Sequence, residues 1–232
     1  LYEAQEKQFK IVDIITKNMR GKEFLQLGDL GITQGLNKPN KTKIVEKIIA
    51  EIFDAQACIL TRGAGTQALR WGLLAGASPN GKILIHKAPI YPTTEINIRN
   101  MNLKVIEYDF NNLERLHNLL EDKEIKFCLL QHTRQKLDDR YDLEEVIKKI
   151  KESRKDIIIL VDDNYAVMKV NRTGNELGAD MSAFSTFKLL GPVGIGCLIG
   201  KKKLLEKVEK YNYSGGGQVQ GYEAMEVLRG LT

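Results

Sequence analysis

A chain of 232 residues, 43% of them hydrophobic and 28% charged, can bury a sizeable core and is too apolar to be disordered. The formal net charge is only +5 and most lysines are scattered along helices, so we expect no nucleic-acid partner; the run Lys201 to Lys203 is interpreted as a solvated helix start. No apolar run approaches the ~20 residues of a membrane span, which argues against a membrane partner.

The elements begin with an arm over residues 1–40, predicted as a short helix followed by the loop GDLGITQGLNKPNK, rich in glycine, asparagine and proline. Short apolar runs then predict seven strands, at 57–60, 82–86, 104–108, 127–131, 156–161, 183–187 and 196–199. Segments with helical spacing lie between many of them, at 44–53, 113–120 and 143–150. This alternation predicts an α/β fold with a seven-stranded, mostly parallel sheet covered by helices.

The three cysteines, Cys58, Cys128 and Cys197, lie inside strand-like runs without metal-ligand spacing, and the three histidines are dispersed. We interpret the cysteines as buried, reduced thiols, which predicts a cytoplasmic protein without a metal site.

The predicted site lies after the strands, because sheets of this class bind ligands at the carboxyl ends of their strands. The first segment there, TRGAGTQALRWGLLAG, turns from strand to helix through Gly63, Ala64 and Gly65 and carries the hydroxyl of Thr66. Free N–H groups and the positive end of the helix dipole would face an anion, so this segment predicts a phosphate site. It lacks the signatures of a P-loop and of a dinucleotide fingerprint.

Two further strand ends carry opposite charges. Asp162 ends an apolar strand in DIIILVDDNYAV, where a carboxylate needs a positive partner, whereas we expect Asp163 to act as a cap or in an ion pair. In STFKLLGPVGIG, strand alternation would place Lys188 on one face with Phe184 and Thr186, at the same rim as Asp162. A partly desolvated lysine amine there is a nucleophile that binds aldehydes as Schiff bases.

One ligand fits all three features, namely pyridoxal 5'-phosphate (PLP), which is an aldehyde, a phosphate ester and a basic ring. Lys188 would bind its aldehyde, Asp162 would keep its pyridine nitrogen protonated, and residues 63–66 would bind its phosphate. A nicotinamide- or nucleotide-binding domain is an alternative, but it leaves Lys188 unexplained.

The succession GAGT, DDNY and STFK with GPVGIG resembles the fold-type I PLP-dependent enzymes over roughly residues 40–230. FSTFKLLGPVGIGCLIG is most similar to the class V aminotransferase and selenocysteine-synthase-like branches. LQHTRQK followed by DLEEV resembles the YhfS-like aminotransferase-fold group, with some likeness to methionine γ-lyase-type proteins. The resemblance implies the large domain of the fold-type I transferases.

The resemblance also implies roles for individual residues. Lys188 matches the lysine that binds the cofactor and later moves a proton, and Asp162 matches the partner of the ring nitrogen. Tyr165, and either Gln131 or His132, correspond to contacts of the phenolic oxygen. Tyr91 corresponds to an aromatic residue stacked on the ring, and Ser185, with Thr186 as competitor, to a phosphate-binding hydroxyl.

The domain organisation implied is an arm (1–40), a large PLP-binding domain (41–213) and a loop and helix (214–232) leading to a C-terminal domain outside this sequence. Family members use that domain to bind the substrate carboxylate with an arginine. The resemblance further implies a homodimer, in which SGGGQVQG would reach the phosphate site of the neighbouring subunit.

The function expected is therefore that of an aminotransferase-like PLP-dependent enzyme acting on an amino acid or amine. A C–S lyase or a selenotransferase-like enzyme is the alternative, and a non-catalytic binding or assembly protein of the same fold is another.

Overall fold

The computed structural model describes all residues from 1 to 232 and contains one seven-stranded sheet. Its strands are β1 Ala57–Arg62, β2 Lys82–His86, β3 Lys104–Tyr108, β4 Ile125–Gln131, β5 Ile158–Asp162, β6 Met181–Ser185 and β7 Ile195–Gly200. The strand order is β1-β7-β6-β5-β4-β2-β3, in which β7 runs antiparallel to both neighbours and all other pairs are parallel. The predicted fold class is confirmed.

Helices cover both faces of the sheet. They are α1 Tyr2–Asn18, α2 Gly21–Phe24, α3 Asn40–Ile52, α4 Ala64–Gly76, α5 Pro92–Asn100, α6 Leu116–Leu119, α7 Leu143–Ser153, α8 Lys202–Ser214 and α9 Gly221–Gly230, with a 3-10 helix at Thr186–Leu189. None of them has the length and apolar character needed to cross a bilayer.

Strand alternation divides the core into two sides. Ile59, Leu129, Leu160, Ala183 and Leu198 pack under α4 and α8 on one face. On the opposite face, α1, α3 and α9 cover β1, β7 and β6, while α7 covers β4 and β5. At the carboxyl ends of β4, β5 and β6, every second residue therefore faces α4. A ligand that contacts both these strand ends and α4 has to lie on this face of the sheet.

The segment 113–120 is helical only at Leu116–Leu119, so the prediction of a longer helix there is wrong. Asp109 accepts a hydrogen bond from the N–H of Asn111, and the Asn112 side chain accepts one from the N–H of Glu114. Such side-chain bonds hold the backbone in turns and compete with a helix.

Both chain ends pack on the same side of the core. Ile11 and Ile15 of α1 are buried against the cluster that contains α3, and α9 joins the same cluster through Met225 and Leu228. In the segment between α8 and α9, the N–H of Arg62 donates to the carbonyl of Gly217, so this part of SGGGQVQG pairs with the free edge of β1. The domain boundaries stay predictions.

The cysteines are free and buried, as the sequence predicted. The Sγ atoms of Cys58 and Cys197 lie 3.5 Å apart on neighbouring strands, and burial raises the pKa of the Cys58 thiol. Cys58 is therefore a protonated side chain of the core.

Candidate active site

A cavity of about 130 Å³ at the carboxyl ends of β4, β5 and β6 collects most of the predicted site residues. Those lining it are Ala64, Gly65, Thr66, Tyr91, Gln131, Asp162, Tyr165, Ser185 and Lys188. Gly63 and His132 are the predicted residues that do not line it. A wider, open groove of about 850 Å³ beside α6 and α7 contains none of the predicted residues.

Strand alternation separates Gln131 from His132. Gln131 follows Leu129 on the face covered by α4 and reaches the cavity. His132 points the other way, and its Nδ1 lies 2.5 Å from Oδ1 of the fully buried Asp163. Asp163 also accepts a hydrogen bond from the N–H of Gly174, so it serves the structural role expected for it.

The segment after β1 that is predicted to bind phosphate forms a sharp turn into α4. Gly63 has φ +101° and Ala64 has φ +57°, and the N–H groups of both donate to the carbonyl of Gly194 at 2.8 Å. The N–H groups of Gly65 and Thr66 come next, at the start of a 13-residue helix, where backbone donors have no intrahelical partner. This end of the cavity is suited to an anion.

Gly65 is required by a close approach that the sequence did not reveal. A Cβ at this position would lie 2.0 Å from Oδ1 of Asn164. Asn164 in turn donates from its backbone N and from Nδ2 to Oδ1 of Asp162, at 3.0 and 2.8 Å. Asn164 was missed as a site residue, although its place between Asp162 and Tyr165 and the tendency of asparagine to bond nearby backbone were visible signals.

Asp162 ends β5 with its carboxylate in the cavity and without a lysine or arginine partner within 4 Å. Burial raises the pKa of Asp162, whereas the two hydrogen bonds from Asn164 act in the opposite direction. A positive or proton-donating group supplied by a ligand would satisfy the second carboxylate oxygen.

Lys188 lines the cavity, but it does so from a 3-10 helix and not from the predicted strand. β6 ends at Ser185, and Lys188 belongs to the 3-10 helix, so the expected strand face shared with Phe184 and Thr186 is wrong. The hydroxyl of Thr186 donates to the carbonyl of Ile195 at 3.0 Å, which closes the turn.

The amine of Lys188 contacts aromatic rings and no carboxylate. Its Nζ lies 4.2 Å from the centroid of the Tyr165 ring and 4.5 Å from that of Phe187. Phe187 was another residue that the sequence analysis missed. The amine is thus held in the cavity without an ion pair that a ligand would have to break.

Ser185 presents an unpartnered hydroxyl to the cavity. Its side chain is only 2% exposed, it lines the cavity, and its Oγ has no hydrogen-bond partner. The competing hydroxyl of Thr186 is already bonded to Ile195. An orphaned buried hydroxyl at this place would be satisfied by a ligand that accepts a hydrogen bond from it.

Two tyrosines form the rim of the cavity. Tyr91 immediately precedes α5 and is 51% exposed, while Tyr165 is 49% exposed. Each offers a ring at the cavity and is half-exposed to solvent. Stacking by Tyr91 and a phenolic-oxygen contact by Tyr165 stay predictions.

The model of one protein family, described as aminotransferase class-V, matches residues 37–227. The chain belongs to this family. Its members use PLP, so the predicted cofactor is confirmed at the level of the family, and the nucleotide-binding alternative is wrong.

Individual relatives agree with the assignment. YhfS of Escherichia coli is 47% identical over 231 residues, which is 100% of this chain and 63% of that protein. Its crystal structure, described as that of a PLP-dependent protein, matches with a TM-score of 0.94 over 98% of this chain and 63% of that one. The chain thus spans less than two thirds of this relative.

More distant proteins share the fold or a shorter segment. A carbon–sulfur lyase involved in aluminum resistance from Clostridium novyi has a TM-score of 0.81 at 19% identity, over 99% of this chain and 60% of that one. A cysteine desulfurase from Wigglesworthia glossinidia brevipalpis is 41% identical over 78 residues, which is 34% of this chain and 18% of the enzyme.

Proposed function

We propose that this chain binds PLP through Lys188 and carries the cofactor site of an enzyme that acts on an amino acid or amine, with aminotransfer as the reaction. The observation that carries the proposal is the pairing of an amine and a carboxylate, both without ionic partners, in one cavity that ends at the start of α4. These three groups match the aldehyde, the ring nitrogen and the phosphate of PLP.

Bound PLP supplies an aldehyde that joins to amines and a ring that withdraws electrons from the bonds of the substrate α-carbon. Lys188 would hold the cofactor through Nζ and, once released by the incoming amine, would accept the α-proton at Nζ as a general base. The carboxylate of Asp162 would hold the proton on the ring nitrogen. Its bonds from Asn164 orient it for that task.

The other cavity residues would fix the position of the cofactor. The N–H groups of Gly65 and Thr66, together with the hydroxyl of Ser185, would bind the phosphate. Tyr91 would stack on the ring, and Gln131 rather than His132 would contact the phenolic oxygen, because Gln131 lines the cavity whereas His132 faces Asp163.

We also propose that the active protein is a homodimer. Support comes from the apolar side chains next to Lys188, since Leu190 is 94% exposed and Val193 is 89% exposed. A second copy that covers this rim would exclude water from the cavity. Light scattering of the purified chain tests this, and a monomer at all concentrations would contradict it.

Cleavage of a C–S bond is the second candidate reaction. It is favoured by the segment of 78 residues that is 41% identical to a cysteine desulfurase. Both reactions use the same removal of the α-proton by Lys188, so the cavity itself supports either.

Reconstitution with PLP tests the binding part of the proposal. We expect a visible absorbance band that borohydride abolishes, with the reduced cofactor located on Lys188 by mass spectrometry. Lys188→Ala should remove the band and keep the far-ultraviolet circular dichroism, whereas the exposed control Lys203→Ala should behave as the wild type. A band that persists in Lys188→Ala would refute Lys188 as the anchor.

A panel of α-deuterated amino acids tests the reaction. Loss of deuterium identifies substrates, and its absence for every compound would leave a non-catalytic binding protein. Aminotransfer predicts that formation of a 2-oxo acid requires a second 2-oxo acid as acceptor. C–S cleavage by elimination instead predicts that a sulfur-containing amino acid yields a thiol or sulfide together with a 2-oxo acid and ammonia, without a second 2-oxo acid. Sulfur transfer of the desulfurase type would leave alanine from cysteine and would require a thiol as the sulfur acceptor.

A further inference from the structure

A second, smaller cavity lies behind Asp162. Its volume is about 20 Å³, and it shares Tyr91, Gln131 and Asp162 with the larger cavity. Thr94 and His86 line the smaller cavity and not the larger one. It therefore contacts the acid from a side different from that on which PLP is proposed to bind.

Thr94 has a buried hydroxyl that nothing in the chain satisfies. The residue lies in the first turn of α5 and is 4% exposed, and its Oγ1 has no hydrogen-bond partner. Its backbone N–H is already bonded, to the carbonyl of Tyr91. Buried hydroxyls in proteins are nearly always bonded to protein or to ordered water.

Apart from Tyr91, which is half-exposed, the other polar side chains around this cavity have hydrogen-bond partners in the chain. His86 uses Nε2 with Asp139 at 2.8 Å and accepts at Nδ1 from the N–H of Phe110. Gln135 donates from Nε2 to the carbonyl of Pro89. Nε2 of Gln131 donates to the hydroxyl of Thr133. Thr94 and the carboxylate of Asp162 remain as the pair that share this space.

We propose that the small cavity binds one water molecule that joins Oγ1 of Thr94 to the carboxylate of Asp162, which makes Thr94 a positioning residue for that acid. The volume suits a single water, which needs roughly 10–15 Å³ of such space and two to four polar partners. The water donates a hydrogen bond to the carboxylate and accepts one from Thr94.

The consequence concerns the ionisation of Asp162. Burial raises the pKa of Asp162, and a donated hydrogen bond stabilises the charged form, so the water opposes the effect of burial. The titratable groups around this carboxylate are Lys188, Tyr91 and Tyr165 in the large cavity, His86 in the small one, and the adjacent Asp163. The importance for catalysis rests on the proposed function, because PLP requires Asp162 in its ionised form.

The test uses the PLP-free chain and three variants. Thr94→Val replaces the hydroxyl by a methyl group of similar size, Thr94→Ser keeps the hydroxyl, and Thr42→Val is the matched control. Thr42 is equally buried, but its hydroxyl donates to the carbonyl of Val219, away from the site. Crystal structures locate the water, and carbon-13 resonances of the aspartate carboxyl groups give the pKa of Asp162.

We expect an ordered water within hydrogen-bond distance of Thr94 and Asp162 in the wild type and in Thr94→Ser. In Thr94→Val the water should be lost and the pKa of Asp162 should rise by roughly 1 unit, the value of one hydrogen bond to the charged form. Thr42→Val should leave this pKa unchanged. A wild-type crystal structure without the water, or an unaltered pKa in Thr94→Val, would overturn the proposal.

These measurements separate this proposal from the proposed function. They need no cofactor and no turnover, so a chain that fails to bind PLP can still contain the water. Conversely, covalent binding of PLP to Lys188 in a wild-type protein without the water would leave the proposed function standing. If Thr94→Val does not fold, the wild-type structure alone still decides.

Discussion

Gly65→Ala gives a direct test of how the cavity is built. The added methyl group would lie 2.0 Å from Oδ1 of Asn164 and 2.7 Å from its Cγ, so the Asn164 side chain has to move. That movement breaks the 2.8 Å hydrogen bond from its Nδ2 to Asp162. The variant therefore removes a hydrogen bond to Asp162 without altering any side chain that is proposed to contact PLP.

The magnitude follows from two opposing contributions. A hydrogen bond to a charged group contributes about 1.5–3 kcal/mol. Alanine regains up to about 1 kcal/mol over glycine within a helix. We expect Gly65→Ala to lower the free energy of unfolding by about 0.5–2 kcal/mol, as the difference between these values.

The assay is urea unfolding of the PLP-free chain, followed by the fluorescence of Trp71, the single tryptophan and 8% exposed. Asn164→Ala provides the background in which the steric conflict is absent. There Gly65→Ala should be neutral or stabilising, so that the two substitutions are coupled by about 1.5–3 kcal/mol. An equal loss of stability in both backgrounds would refute the claim that Asn164 imposes glycine at position 65.

Two further substitutions test the polar groups of the core. Burial raises the pKa of Asp162 above 3.8, so its ionisation costs the folded state stability as the pH rises from about 3.8 through the folded pKa. In urea titrations of the PLP-free chain at several pH values, Asp162→Asn should be as stable as the wild type below about pH 3.8 and more stable than the wild type above the folded pKa of Asp162. Equal stability of the two proteins at neutral pH would show that burial of the charged carboxylate does not destabilise the fold. Asn212 accepts from the Thr61 hydroxyl at 2.7 Å and donates from Nδ2 to the carbonyl of Leu60 at 3.1 Å, whereas Nε1 of Trp71 keeps the Thr61 hydroxyl as an acceptor at 3.0 Å. Asn212→Ala should therefore cost about 1–3 kcal/mol, because it removes the buried partner of Thr61 and the donor to Leu60. The emission maximum of Trp71 should shift as well, and a loss under 1 kcal/mol would show that the cluster rearranges.

The sequence was sufficient to place the chemistry of the site at the strand ends. Apolar runs of four to six residues predicted all seven strands, because a doubly covered parallel sheet needs continuous apolar strands. Asp162 and Ser185 end β5 and β6, and the turn at Gly63 precedes α4. Local spacing thus predicts which residues end each strand, whereas the order of the strands in the sheet brings these residues to one edge.

The fine positions of the side chains depend on contacts between segments distant in the chain. Alternation along β6 could not place Lys188, because the strand stops at Ser185 and the turn is closed by the bond from Thr186 to Ile195. The need for glycine at position 65 arises from Asn164, which is distant in the sequence but lies next to Gly65 in the wall of the cavity.

The amino-acid sequence by itself determined the seven strands, most of the helices that cover them and the residue types at the carboxyl edge of the sheet, because periodicity and glycine turns act within a few residues. Only the tertiary structure decided that Gln131 rather than His132 faces the cavity, since Asp163 engages the histidine on the opposite face. It likewise decided that the Thr94 hydroxyl lies unpaired behind Asp162. Such choices follow from packing between α4, α5 and three strand ends, which no local pattern contains.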